Sequence, residues 1–152
     1  MKALIQRVSR SSVAVEGQVV AKIGPGMTVF LGVGTADTEK DINYLAKKIA
    51  ALRIFADQAG KMNLAVRDIG GEILLISQFT LYAECDKGNR PYFGQAAAAE
   101  QANHYYQLMA SALEALAVPV KCGIFQADML VEISNDGPVT IMLSSEREKE
   151  NR

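Results

Sequence analysis

Ser77-Gln78-Phe79-Thr80 sets two hydroxyls and a carboxamide side by side at the end of an apolar run. Hydroxyls, carboxamides and backbone amides are donors that can polarise a carbonyl or hold an oxyanion. As nucleophiles the hydroxyls are weak unless a base takes their proton. The sequence offers one histidine, His104, and places it on the surface of a predicted helix far along the chain. No G-x-S-x-G elbow and no phosphate-cradling glycine loop is present. Cys85 and Cys122 lack ligand spacing, so neither a metal nor another cofactor is expected. A donor-rich, base-poor set fits only an already activated bond, and an ester qualifies far more readily than an amide.

For Ser77 and Thr80 to share a pocket, the backbone must turn just after Ser77, because side chains on a straight strand alternate sides. That turn leaves the amides of Phe79 and Thr80 without ladder partners and free to face a ligand. Gly70-Gly71 opens the stretch, and Glu72 to Ile76 reads as a strand covered on both faces. The same residues also suit a strand end capped by Ser and Thr, with no site attached.

The elements around this stretch follow from periodicity and turn chemistry. Lys2 to Arg10 and Val13 to Val15 carry β-formers, Glu16-Gly17 marks a hairpin, and Gly24-Pro25-Gly26 separates a further strand, Met27 to Val33. Short connections predict an antiparallel meander, with Arg7 and Arg10 facing solvent. A helix is predicted over Asp37 to Arg53, with Thr38 as N-cap and Ile42, Leu45, Ala46, Ile49 and Leu52 as its apolar stripe. Met62 to Asp68 is weakly strand-like. An irregular loop from Ala83 to Phe93 carries Lys87 and Arg90 beside Tyr92 and Phe93, a set that suits phosphate contacts but also a solvated loop. The longest helix is predicted over Gln95 to Ala117, facing the core with Tyr105, Leu108, Met109, Ala112, Leu113 and Leu116. Val120 to Phe125, Met129 to Ser134 and Val139 to Leu143 read as strands, the last two separated by the turn signal Asn135-Asp136-Gly137-Pro138. The fold class is α+β: a curved, mostly antiparallel sheet or partial β-barrel packed with two main helices.

A length of 152 residues with 49% apolar residues predicts one core-bearing domain, here 1–144, followed by a charged tail, 145–152, expected to fray from Ser144. No apolar run reaches membrane-spanning length, no signal peptide is visible, and free thiols fit a reducing cytosol. A net charge of −1 leaves any RNA contact to local patches.

Ser77-Gln78-Phe79-Thr80-Leu81-Tyr82-Ala83 and Asn135-Asp136-Gly137-Pro138-Val139-Thr140 resemble the paired signatures of the D-aminoacyl-tRNA deacylases, which act in chiral proofreading. Met1 to Val8, Leu52-Arg53-Ile54-Phe55 and Lys61-Met62-Asn63 are similar to that family too, and the likeness runs from Met1 to about Ser144. Gln126, where glycine is common, and Tyr92, where a small polar residue is common, depart from the pattern. The resemblance implies a cytoplasmic homodimer with active sites at the subunit interface and no membrane association. It implies catalytic roles for Ser77, Gln78, Phe79 and Thr80, which would line a pocket for the aminoacyl ester at the 3′ end of tRNA. It implies that Gly137-Pro138, joined by a cis bond, enters from the neighbouring subunit and enforces chirality, that Arg7 steadies it, and that Phe125 and Met129 lie near the pocket. The expected reaction releases a D-amino acid, or glycine, from tRNA and refuses L-aminoacyl-tRNA. Two rivals stay open: a hydrolase of other small activated esters, and a non-catalytic RNA-binding dimer using Lys87, Arg90 and Arg53.

Overall fold

The computed structural model describes residues 1–146. Its longest early element, strand β1 (Lys2–Val15), organises the sheet because it is long enough to serve several partners. Its C-terminal half pairs with β2 (Gln18–Ile23) through the Glu16-Gly17 hairpin, where both residues take positive φ. The remaining length, Lys2 to Val8, pairs antiparallel with β3 (Gly26–Gly32). The strand order is therefore β2-β1-β3, and the expected meander is corrected: β3 returns past β2 to the free half of β1.

Helix α1 (Glu39–Ala50) starts at Thr38, whose N–H donates to the Asp41 carboxylate at 2.8 Å, so the predicted cap stands. Asp37 lies outside the helix. Short strands β4 (Phe55–Ala56) and β5 (Met62–Leu64) form a separate ribbon. Strand β6 (Glu72–Ser77) then joins β3 in parallel, and β7 (Val120–Cys122) joins β6 in parallel. Covered on both faces, β6 buries Ile73 and Leu75 among the helices while Leu74 and Ile76 enter a second apolar cluster with Val8, Val13 and Ile23. Around that cluster the sheet curls until the Lys121 ammonium of β7 donates to the Lys22 carbonyl of β2 at 2.9 Å, giving the partial barrel expected.

Helix α2 (Ala99–Ala115) packs with α1 over the other face, burying Ala102, Tyr106, Met109 and Leu113. It begins four residues later than its pattern predicts. Ala96 and Ala97 are engaged by the end of β3 instead, through a bridge to Gly34 and a bond from the Ala97 N–H to the Val33 carbonyl at 2.9 Å. The last strand, β8 (Met129–Ser144), runs antiparallel along the whole of β1. It includes the two segments predicted as separate strands, and Asn135 to Pro138 does not reverse the chain. Val8 pairs with Asn135 and Gln6 with Thr140, so the residues between are extruded from one continuous strand. Ser145 is buried and donates its N–H to the Met1 carbonyl at 3.0 Å, which corrects the expected fraying at its first positions. Positions 147–152 of the tail lie outside the described residues.

Candidate active site

The end of β6 opens into a cavity of about 470 Å³. One wall comes from Ser77, Gln78 and Phe79, another from Ala96, Ala97, Ala99 and Ala102, and a third from Phe125 to Ala127 with Met129. The alanine run thus leaves the space that larger side chains would fill. Among the described residues, none that lines the cavity is ionisable. A general acid or base from this chain is therefore missing from its walls, and the Ser77 hydroxyl and the Gln78 and Gln126 carboxamides supply the side-chain polarity.

The predicted turn after Ser77 is present as a single 3₁₀ turn, Phe79–Tyr82. The Gln78 N–H makes the last sheet bond, to the Leu31 carbonyl at 2.8 Å, and Leu81 closes the turn back to Gln78 at 3.3 Å. Phe79 and Thr80 fall between those two bonds, so their amides sit ahead of the bonded ring, as at any helix start. Phe79 is exposed and meets Phe93 edge-on, with centroids 4.9 Å apart. Thr80 is exposed and does not line the cavity; its hydroxyl accepts from the Gln78 carboxamide.

Phe125 and Met129 both line the cavity. Phe125 is backed by Tyr106, a residue absent from the predicted stripe of α2, whose O–H donates to the Leu75 carbonyl at 2.7 Å. Burial pushes the Tyr106 hydroxyl far above its usual range, with Cys122 adding to the effect, so it stays a donor. Burial likewise raises the Cys122 thiol, which disfavours a thiolate nucleophile there. Gln126, exposed on the cavity wall, holds φ +61° where glycine would be unstrained. His104 is exposed on α2, beside Tyr105.

The second motif stands apart from this cavity within one chain. Gly137 and Pro138 are exposed, are joined by a cis bond and contribute nothing to the lining. Their loop is tied by side chains. Arg7 donates from Nε to the Asp136 carbonyl at 3.1 Å and from Nη1 to the Ile54 carbonyl at 2.6 Å. With only 14% of its side chain exposed, Arg7 is no solvent-facing strand residue, a correction to the charge-based expectation. Asn135 spans the base of the extrusion, donating to the Arg7 and Val139 carbonyls, each at 3.0 Å. At Gly137 (φ +124°) a Cβ would fall 2.8 Å from Arg7 Nη2 and 2.9 Å from Val139 Cγ2, so any side chain there is strained and the Arg7 and Val139 side chains must shift to admit it.

Residues 4–144 match the family described as D-Tyr-tRNA(Tyr) deacylase. The chain belongs to the D-aminoacyl-tRNA deacylase family. A D-aminoacyl-tRNA deacylase of Desulfitobacterium hafniense is 50% identical over 97% of this chain and 99% of its own length. One from Heliobacterium modesticaldum is 53% identical over 94% and 95%. Among solved structures, one titled c-Myc DNA Unwinding Element Binding Protein superposes with a TM-score of 0.90 at 45% identity, covering 95% of this chain and 99% of that one. A probable eukaryotic D-amino acid tRNA deacylase, at 15% identity and a TM-score of 0.81, shares the fold. Membership makes the protein a D-aminoacyl-tRNA deacylase-type ester hydrolase, which agrees with a largely apolar cavity whose polar side chains, among the described residues, are a hydroxyl and two carboxamides.

Proposed function

We propose that this deacylase works as a cytoplasmic homodimer in chiral proofreading. Each cavity would receive the aminoacylated 3′ end of a tRNA and the Gly137-Pro138 loop of the other subunit. One observation carries the reading: a rigidly tethered, exposed loop bearing the second motif stays out of the cavity that holds the first. A partner subunit is the simplest source of the missing wall. The exposed Phe79 at the mouth also fits a face covered on dimerisation. Among the described residues no helix is long and apolar enough to cross a membrane.

The mechanism follows from the donors. Water adds to the ester carbonyl carbon, and the carbonyl oxygen becomes an oxyanion received by the Phe79 amide and the Ser77 hydroxyl of the lining, joined by the Thr80 amide that follows Phe79 in the turn. The carbon–oxygen bond to the ribose then breaks, leaving a free amino acid and a 3′-hydroxyl. The proton lost by water passes to the departing 3′-oxygen through the adjacent 2′-hydroxyl of the substrate, since no lining side chain is a base. Thr80, already held by Gln78, positions the turn rather than attacking. A backbone wedge near the substrate Cα leaves room for hydrogen only, so D-residues and glycine pass and L-residues clash. Side-chain contacts would instead select among side-chain chemistries.

The test is hydrolysis of matched D-, L- and glycyl-tRNA by the purified protein, with its mass in solution. Cleavage of the D- and glycyl-esters alone by a dimer is expected. Equal cleavage of the L-ester, or full activity as a monomer, would overturn the reading.

A further inference from the structure

Asp37 belongs to no motif, and its pattern reads as the start of a helix it does not join. Its side chain is nevertheless buried and gathers three donors from separate parts of the fold. The Met1 ammonium donates to Oδ1 at 2.5 Å, the Gly34 N–H to Oδ2 at 2.7 Å and the Tyr82 O–H to Oδ2 at 3.4 Å. The Met1 ammonium, itself fully buried, has a second acceptor in Ser145 Oγ at 2.9 Å.

Two of those donors bear on the cavity. Tyr82 is the last residue of the 3₁₀ turn that carries the Phe79 and Thr80 amides. Its ring is clamped between Lys2, whose ammonium lies 4.4 Å from the centroid, and the glycines at the end of β3. A Cβ at Gly34 would come within 2.8 Å of the ring, so the ring lies directly on that backbone. Gly34 in turn bridges to Ala96, on the opposite wall. One carboxylate therefore fixes the far end of the amide-bearing turn and the strand end that holds the alanine wall. A buried carboxylate between an ammonium and two further donors has little freedom to shift, because any movement leaves a donor unpaired.

We propose that Asp37 is a positioning residue for the oxyanion donors, acting through Tyr82 and Gly34 and touching no substrate. The inference rests on the assignment of the Phe79 and Thr80 amides to the oxyanion. Amides held at the transition-state oxygen contribute mainly to kcat, and displacement by about 1 Å costs on the order of a hundredfold.

The experiment compares steady-state deacylation of D-aminoacyl-tRNA by Asp37→Asn, Tyr82→Phe and Gly34→Ala with wild type and with Leu45→Ala. Leu45 lies in the helical core, so that variant reports loss of stability without displacement of the turn. The expected result is a kcat lowered on the order of ten- to a hundredfold in Asp37→Asn and Gly34→Ala, less in Tyr82→Phe, with KM within about threefold. Leu45→Ala should keep its kcat at temperatures where it is folded. Should Asp37→Asn fail to fold, Tyr82→Phe and Gly34→Ala decide. Unchanged kcat in the folded variants, a change confined to KM, or an equal fall in Leu45→Ala would overturn the proposal. Wild type inert toward every D-aminoacyl-tRNA would instead overturn the functional reading.

Discussion

The two motif-bearing segments interrupt the same sheet in opposite ways. The turn after Ser77 leaves a strand buried on both faces and docks through its own buried Tyr82 on the glycines at the end of β3. The extrusion at Asn135 to Pro138 leaves an edge-side strand, stands in solvent, and is held by Arg7 and Asn135, with the Thr140 hydroxyl donating to Asn135 Oδ1 at 3.4 Å. Packing fixes the first, and a few polar tethers fix the second. Lesions near the turn should therefore cost stability together with activity. Lesions at the loop should remove activity from a protein that still folds.

The largest effect is expected at Gly137. Gly137→Ala puts a methyl against Arg7 and Val139 at a φ that L-residues rarely adopt. If the loop borders the ester in a dimer, as proposed, its displacement should lower hydrolysis of D-aminoacyl-tRNA by roughly a hundredfold or more, the size of effect that misplacement at a reacting centre produces. The melting temperature should shift little, because the residue is exposed. A large loss of stability with activity preserved in the folded fraction would erase the contrast between the two segments.

Arg7→Ala should follow, at about tenfold to a hundredfold. It frees the loop but also leaves the Ile54 carbonyl without its 2.6 Å donor, at a cost of about 1–3 kcal/mol. Arg7→Lys sharpens the comparison, since one ammonium cannot reproduce a guanidinium fork that reaches both Asp136 and Ile54. Full activity in Arg7→Lys would show that charge alone steadies the loop.

Sequence signals serve the two segments unequally, for a physical reason. The turn after Ser77 is legible because burial on both faces, glycines ahead of it and polar residues after it are all local. Asn135-Asp136-Gly137-Pro138 has the chemistry of a chain reversal, and the same chemistry serves an extrusion; only the pairing of both flanks with β1 separates them. The parallel pairing of β3 with β6 is likewise hidden, because strand direction depends on a partner distant in sequence. Ala96 to Ala99 read as helix since alanine favours helices, and their use as empty cavity wall emerges only in three dimensions. Asp37 and Tyr106 escape a sequence reading because their partners, Met1 and Leu75, are remote.

A smaller effect is expected beyond the cavity, in the loop that follows the turn. Lys87 and Arg90 are exposed on either side of Gly88 (φ +83°), in a loop closed by paired bonds between Glu84 and Tyr92 at 2.8 and 2.9 Å. If they meet tRNA phosphates, replacing both by Ala should weaken binding several-fold. It should also lower the slope of log affinity against log salt by about 0.7–0.9 for each phosphate no longer neutralised. An unchanged slope would make the loop a solvated closure of the turn region.

The smallest effect is expected at Thr80, and it tests the chemistry assigned to the packed segment. A covalent nucleophile needs a base within reach, and the Thr80 hydroxyl instead meets a carboxamide that donates to it. An oxygen that accepts a hydrogen bond is made less nucleophilic by it. Thr80→Ser keeps that oxygen and removes a methyl from an exposed position, so kcat should stay within about threefold of wild type. Thr80→Ala separates the roles further. A positioning hydroxyl removed together with its bond to Gln78 costs about 0.5–1.5 kcal/mol, or roughly twofold to thirteenfold in rate. Loss of an attacking atom would abolish covalent turnover. Rapid quench with substrate labelled in the amino acid gives the direct readout. No label should remain on the protein at any time if water attacks the ester. Label trapped on Thr80 would transfer the chemistry from the substrate's own hydroxyl to the enzyme.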